Sequence, residues 1–159
     1  MNSIKKPALQ GPILFLSSGT YLGYIPLASG TFGSLWGLPI FYWLSTQKFW
    51  FQIVILIGSI FLAILLAGQA AKILDEKDPS KVVIDEIVGY MAAMAGMTFS
   101  WTMAISGFFI FRIMDIVKPY PIRKIDQQMP GGWGIVLDDV LAGIYSQIIL
   151  RILVYYKIL

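Results

Sequence analysis

From residue 49 to residue 71 no charged side chain interrupts the chain, and the stretch IVILIGSIFLAILLAG within it is apolar almost throughout. About 20 such residues wound as a helix reach across the hydrocarbon core of a bilayer, where every backbone polar group must be satisfied inside the segment itself. The run predicts a membrane-spanning helix. It also makes a conventional soluble fold a poor destination for the chain.

Composition agrees. The 159 residues are 57% hydrophobic and 13% charged, whereas soluble domains run at about 45–50% and about 25%. A domain of this size has too few polar side chains to cover a water-facing surface. The chain contains neither His nor Cys. That excludes Ser-His-Asp and Cys-His triads, thiolate nucleophiles, His- or Cys-bound zinc and disulfides. Catalysis would have to rest on carboxylates, hydroxyls, Lys, Arg, backbone amides or a hard metal ion. The net charge of +3 is not gathered with aromatic residues into a basic patch, so no nucleic-acid partner is expected. Lys5 and Lys6 precede a short apolar run at residues 13–16, followed by Ser17 and Ser18. Residues 1–16 therefore read as an interfacial or cytoplasmic lead-in rather than a cleaved signal.

Charge orders the remaining apolar segments. Residues 35–45 are apolar and aromatic but short, with Pro39 inside them, which predicts a tilted or partial span hairpinned to residues 49–71. Residues 87–111 are read as two short crossings turning near 97–102. This puts Lys5, Lys6, Lys72, Lys77, Lys81, Arg112, Lys118, Arg123 and Lys124 on one face, against Lys48, Arg151 and Lys157 on the other. The richer face is then cytoplasmic. Residues 135–156 form the last span, with Tyr155 and Tyr156 at its outer interface. The expected fold is all-α: a single domain over residues 1–159, forming a polytopic membrane bundle of about four to five membrane helices, some short or interrupted.

That topology gathers every acid, Asp75, Glu76, Asp78, Asp85, Glu86, Asp115, Asp126, Asp138 and Asp139, on or near the cytoplasmic side. Ionised groups within helical spans cost about 2.5–3.5 kcal/mol each on insertion scales, so they face polar cavities and carry function. Three segments place acids at helix ends: VVIDEIVG at 82–89, FRIMDIVKPYP at 111–121 and GGWGIVLDDVLAG at 131–143. Arg112, Asp115 and Lys118 fall at i, i+3 and i+6, which predicts Asp115 flanked by two cations. Adjacent acids on a helix point about 100° apart. One member of each pair, Asp85–Glu86 and Asp138–Asp139, is therefore expected to face the site, and the other to cap a helix or bind a loop. Converging carboxylates with incomplete protein coordination suit a hard cation that also takes phosphate oxygens, which favours Mg²⁺.

A fourth segment, SGTFGS at 29–34, has Gly30 and Gly33 for tight turns and hydroxyls on Thr31 and Ser34. It reads as an ordinary loop or as a phosphate cradle. Lys118, before Pro119, is the basic candidate for phosphate, whereas Arg123 and Lys124 read as topology and anionic-lipid determinants. Residues 72–81 read as a solvated loop with Asp75, Glu76 and Asp78 as surface charges. Gly131, Gly132 and Gly134 read as a flexible lead into the last helix. Small residues at Gly89, Ala92, Ala93, Gly96, Ala142 and Gly143 predict close helix contact beside the two acidic pairs.

With SGTFGSLWGLP at 29–39, VVIDEIVG at 82–89, FRIMDIVKPYPI at 111–122 and GGWGIVLDDVLAG at 131–143, the chain resembles the phosphatidylglycerophosphatase A family of bacterial membrane phosphatases over residues 14–150. The resemblance implies a Mg²⁺-dependent hydrolase at the cytoplasmic face of the inner membrane. Its substrate would be a membrane phospholipid, phosphatidylglycerophosphate, converted to phosphatidylglycerol and inorganic phosphate. On that reading Glu86, Asp115 and Asp139 are the first metal ligands, with Asp85 or Asp138 supporting. Thr31, Ser34, Arg112 and Lys118 bind phosphate. Asp115, Asp139, Glu86 and Lys118 carry catalysis, by water attack or through an aspartyl-phosphate on Asp115. Two alternatives stand beside it. One is another lipid-phosphate enzyme, such as a CDP-alcohol phosphotransferase, although the D-x-x-D-G-x-x-A-R pattern is missing from the sequence. The other is a small ion or solute transporter subunit, whose acids would spread through the membrane depth rather than gather at one end.

Overall fold

The computed structural model describes residues 7–26 and 28–159, and every regular element among them is helical. Lys5 and Lys6, counted above toward the cytoplasmic face, lie outside the described residues. The order is α1 (Pro7–Ser17), a 3₁₀ turn (Leu22–Tyr24), α2 (Ser29–Ser45), α3 (Phe49–Leu74), α4 (Ile84–Met94), α5 (Trp101–Val117), α6 (Ile122–Gln128) and α7 (Gly132–Tyr155).

Helix ends follow local chemistry. The Ser100 side chain accepts a hydrogen bond from the Met103 amide at 3.0 Å and caps α5. Asp75 and Lys118 close α3 and α5 in the left-handed region, at φ 55° and 45°, and return their amides to Ala71 and Met114. Pro119 then bars any continuation of α5. The apolar stretch 87–111 divides into two helices as the charge distribution predicts. α4 stops at Met94, residues 95–100 turn, and α5 returns. Side chains from other helices satisfy the turn: Gln52 Oε1 accepts from the Gly96 amide at 2.8 Å, and Gln147 donates to the Ala95 carbonyl.

α4 is the hub, with residues 88–94 all buried and α2, α3, α5 and α7 packed around it. The buried Tyr90 hydroxyl donates to the Ala104 carbonyl at 2.9 Å, pinning α4 to α5. The most extensive helix contact is α4 with α7, and glycines make it possible. A Cβ at Gly89 would lie 2.7 Å from the Phe111 ring and 2.8 Å from the Asp139 carbonyl, and one at Gly143 would collide with the Gly89 carbonyl. The close approach expected from the small residues is present here.

Two local expectations are corrected. Residues 29–34 are the opening turns of α2 rather than a loop, because Gly33 and Gly37 are needed for packing: a Cβ on Gly33 would sit 2.6 Å from Val83 Cβ, and one on Gly37 would run into the Tyr90 ring. Gly132 is no flexible lead-in. It opens α7 pressed against α3, where a Cβ would strike the Ile64 carbonyl and come within 2.8 Å of the Gly68 amide.

The expectation of several membrane helices meets a length limit. Among the described residues, α3 is the one helix long and apolar enough to cross a membrane by itself. α2 and α5 have 17 residues each and α4 has 11, while the 24-residue α7 carries Asp138, Asp139 and Arg151. The outer surface is nonetheless apolar on several helices. Ile57, Phe61 and Leu65 on α3, Ile105, Phe109, Ile113 and Ile116 on α5, and Ile144, Ile148 and Ile152 on α7 are all exposed, at helical spacing.

Substituting Gly143→Val should force α4 from α7 and destabilise the fold by about 1–3 kcal/mol, read as a lower melting midpoint of the detergent-solubilised protein. Gly58→Ala, where a Cβ would meet nothing within 4 Å, should leave that midpoint unchanged or raise it slightly.

Candidate active site

A cleft of about 350 Å³ opens where the starts of α2, α4 and α7 meet the end of α5 and the segment 78–82. Asp85 and Glu86 lie in the first turn of α4, where the helix dipole favours negative charge. Asp138 and Asp139 lie about two turns into α7, and Arg112, Asp115 and Lys118 come from the next-to-last turn, the last turn and the C-cap of α5. All seven line the cleft.

Both members of each acidic pair therefore reach the site, which corrects the one-in, one-out expectation. The 100° between neighbours sends the second side chain elsewhere only when a site touches a single helix face. Here the cleft wraps around the ends of α4 and α7, held side by side by Gly89 and Gly143. Asp85, Glu86 and Asp139 each offer a carboxylate oxygen within 4.8 Å of the others. Asp85 Oδ1, Glu86 Oε2 and Asp139 Oδ2 are buried and have no hydrogen-bond partner among the described residues.

The cations are distributed differently from the expectation. Arg112 Nη1 donates to Asp115 Oδ2 at 2.7 Å, but Lys118 does not join them. Its left-handed C-cap conformation turns it toward Asp138 on α7 and toward Asp126 on α6, 3.3 Å away. Asp115 is thus flanked by one cation. Asp115 and Asp138, both expected as metal ligands, each have one oxygen engaged by a basic side chain, while Asp85 joins Glu86 and Asp139 in the compact triad. Burial alone would lower the Lys118 pKa, but Asp138 and Asp126 hold the ammonium well above the ordinary lysine value.

The hydroxyls are also reassigned. Ser34 is fully buried and donates to the Gly30 carbonyl at 2.8 Å inside its own helix, and neither it nor Thr31 lines the cleft. Ser29 and Ser80 do, joined by a hydrogen bond from Ser29 Oγ to the Ser80 carbonyl at 2.8 Å. Gly30 serves through what it lacks: a Cβ there would collide with Glu86 Oε1 and lie 3.1 Å from Arg112 Nη1. Asp78, read from sequence as a surface charge, is exposed as a residue yet forms part of the cleft wall. Desolvation against that wall raises its carboxyl pKa, partly offset by Lys118. The Asp-Pro-Ser run at 78–80, a rigid turn following a charged tract, is the sequence signal that could have singled it out.

The sequence profile of the family described as phosphatidylglycerophosphatase A matches residues 15–154, which include every element of this cleft. The chain belongs to that family. Its members are hydrolases of a phosphoric monoester. The phosphatidylglycerophosphatase A of Escherichia coli K12 is 38% identical over 141 residues, covering 87% of this chain and 81% of the relative. The Haemophilus influenzae protein of the same name is 33% identical over 159 residues, covering 99% and 98%. A Bacteroides thetaiotaomicron protein carrying the provisional name phosphatidylinositol-3-phosphatase is 34% identical over 159 residues, covering 94% and 96%. No solved structure gives a significant match.

Lys118→Met should leave Asp138, whose side chain is 4% exposed, without its ammonium. The expected cost is about 1–3 kcal/mol of stability, measured by thermal melting, with most of it recovered in Lys118→Arg.

Proposed function

We propose that the chain is a Mg²⁺-dependent lipid phosphatase. It hydrolyses phosphatidylglycerophosphate to phosphatidylglycerol and inorganic phosphate in a cleft at the cytoplasmic face of the bacterial inner membrane. One observation carries the reading: four buried carboxylate oxygens without a hydrogen-bond partner among the described residues, on Asp85, Glu86, Asp138 and Asp139, lie in the same cleft as Arg112, whose buried Nε is likewise unpartnered. Three of those acids, Asp85, Glu86 and Asp139, can turn an oxygen to one point. Unpaired buried charges are costly, so these oxygens suit a hard cation and the Arg112 Nε–H suits a phosphate oxygen, and a metal-bound phosphate monoester would satisfy both.

Asp85, Glu86 and Asp139 would hold the ion, which supplies neutralisation of phosphate charge and lowers the pKa of bound water. The chain's own groups do the rest. Arg112 Nε donates to a phosphate oxygen, and Arg112 Nη1 fixes the Asp115 carboxylate beside the triad. Asp115 accepts a proton as a water oxygen bonds to phosphorus, and the phosphorus–oxygen bond to the glycerol breaks. The same proton passes to the leaving oxygen, giving the lipid alcohol and inorganic phosphate. Lys118, committed to Asp138 and Asp126, adds positive potential at the cleft edge rather than a free donor.

The membrane reading extends beyond α3. Exposed apolar faces on α5 and α7, with aromatic residues exposed on α2, support immersion of several helices, the short ones reaching only partway across. Arg112 and Lys118 line the cleft and Lys77 lines a neighbouring pocket that shares Asp78, Ile135 and Asp126 with this end of the bundle, which supports putting that end in the cytoplasm. The name of the Bacteroides relative favours a second reading, in which the same cleft takes an inositol phospholipid monoester. Both substrates present one terminal phosphate to the same groups.

Phosphate release by purified protein from each lipid, with Mg²⁺ and then with chelator, tests this reading. Mg²⁺-dependent release from phosphatidylglycerophosphate should fall by about 10²–10³-fold in Glu86→Gln and Asp139→Asn, with Ser34→Ala remaining within about twofold because its hydroxyl stays inside its helix. No release by folded, Mg²⁺-supplied protein would overturn the function, and greater turnover of the inositol lipid would move the substrate. The cysteine-free chain also lends itself to topology mapping. A cysteine replacing Lys48 should react with an impermeant maleimide on intact spheroplasts, and one replacing Lys124 only after lysis.

A further inference from the structure

Between α2 and α5 lies a second, apolar groove of about 440 Å³, lined by Leu35, Leu38, Pro39, Tyr42, Phe99 and Trp101. The two helices that wall it also build the cleft, α2 through Ser29 and Gly30 and α5 through Arg112 and Asp115. On α5, Trp101, Ile105, Phe108, Arg112 and Asp115 recur at alternating intervals of four and three residues, which is a single stripe of helix surface. The groove end and the cleft end of α5 thus share one face. On α2, Leu35, Leu38 and Tyr42 share a face with Thr31, the residue next to the cleft-lining Gly30.

Depth is set by helix rise. Leu35 to Tyr42 lie about 8–18 Å along α2 from Gly30, and Trp101 lies about 17–21 Å along α5 from Arg112 and Asp115. The groove therefore lies about 8–21 Å along the helices from the cleft, a distance that on the membrane reading falls within the hydrocarbon core. Its far end is closed by aromatic rings, with Tyr42 and Phe99 at 5.0 Å between centroids and Phe99 and Trp101 at 5.5 Å, both edge-on.

Resting on the lipid-phosphatase reading, we infer that this groove holds an acyl chain of the phospholipid substrate while its phosphate occupies the cleft, and that the Tyr42–Phe99–Trp101 cluster is the stop that sets preferred chain length. The occupant follows from continuity. A phospholipid couples one anionic end to long apolar chains, and the stripes on α2 and α5 couple the charged cleft to an apolar trough in the same order. A chain leaving the bilayer for the groove gains little from the hydrophobic effect, because lipid tails are as apolar as leucine. Packing and alignment of the headgroup are what it gains, so the groove acts on selectivity for chain length.

The test compares kcat/KM for dihexanoyl- and dipalmitoyl-phosphatidylglycerophosphate in mixed micelles at fixed surface concentration, with Mg²⁺. Leu38→Trp fills the middle of the groove and should lower the dipalmitoyl value about tenfold while the dihexanoyl value stays within about twofold. Leu38 also packs against the core, so a second variant guards against misfolding. Trp101→Ala, at a residue 69% exposed, removes part of the stop and should move the preferred chain to a greater length. A long-to-short ratio unchanged by both variants, in protein that releases phosphate, overturns the groove assignment alone. Wild-type protein that releases phosphate from neither lipid overturns the phosphatase reading and this inference with it.

Discussion

The rest of the structure depends on how closely α4 and α7 approach each other. With no side chain at Gly89 or Gly143, backbone meets backbone, and α7 covers nearly the full length of the buried 11-residue α4. That registry places the first turn of α4 beside the second turn of α7. Asp85 and Glu86 thereby come to the same end of the bundle as Asp138 and Asp139, and α5 adds Arg112 and Asp115 from the adjoining wall. A wider interhelical spacing would separate the carboxylates and dissolve the triad.

Collecting acids at one partly buried end sets repulsion against function. Three features offset it: the N-terminal dipole of α4, the Arg112–Asp115 pair, and Lys118 between Asp138 and Asp126. What they leave over is one buried oxygen each on Asp85, Glu86 and Asp139, and the second oxygen of Asp138, none with a hydrogen-bond partner among the described residues. Such a deficit is a poor way to stabilise a fold and a good way to bind a cation with an anionic ligand, the kind of local cost that marks functional sites.

Away from this polar end the interior mixes small residues along α3, α4 and α7 with large ones such as Tyr90, Phe111 and Leu150, while many further aliphatic and aromatic side chains stand exposed on the outer faces of the helices. The arrangement suits a substrate that is itself divided between water and hydrocarbon. The acids gather at one end, and α2 and α5, which help wall their cleft, continue away from it as the walls of an apolar groove.

Much of this was legible in one dimension. The uncharged run within 49–71 becomes α3, the division of 87–111 becomes α4 and α5, and the three acid-bearing segments meet at the cleft, because hydrophobic periodicity, helix caps and like placement of charge are local properties that a chain writes directly. Partner choice was not legible. Lys118 stands three residues from Asp115 yet pairs with Asp138, twenty residues away. Ser34 sits in a phosphate-like motif yet bonds its own helix, and Asp78 belongs to the cleft wall despite its solvated-looking tract. The Ser34 bond shows that a motif can be consumed by its own helix, whereas the Lys118 pair and the place of Asp78 depend on the direction of a side chain relative to other elements, which is set only in the packed bundle. The sequence by itself determined which segments are helical and which end carries charge, since both follow from neighbouring residues. Spacing along one helix also foretold the Arg112–Asp115 pair, but tertiary structure decided the rest, which acids meet Lys118 and which stay unpaired, because those are distances across helices that no spacing along the chain encodes.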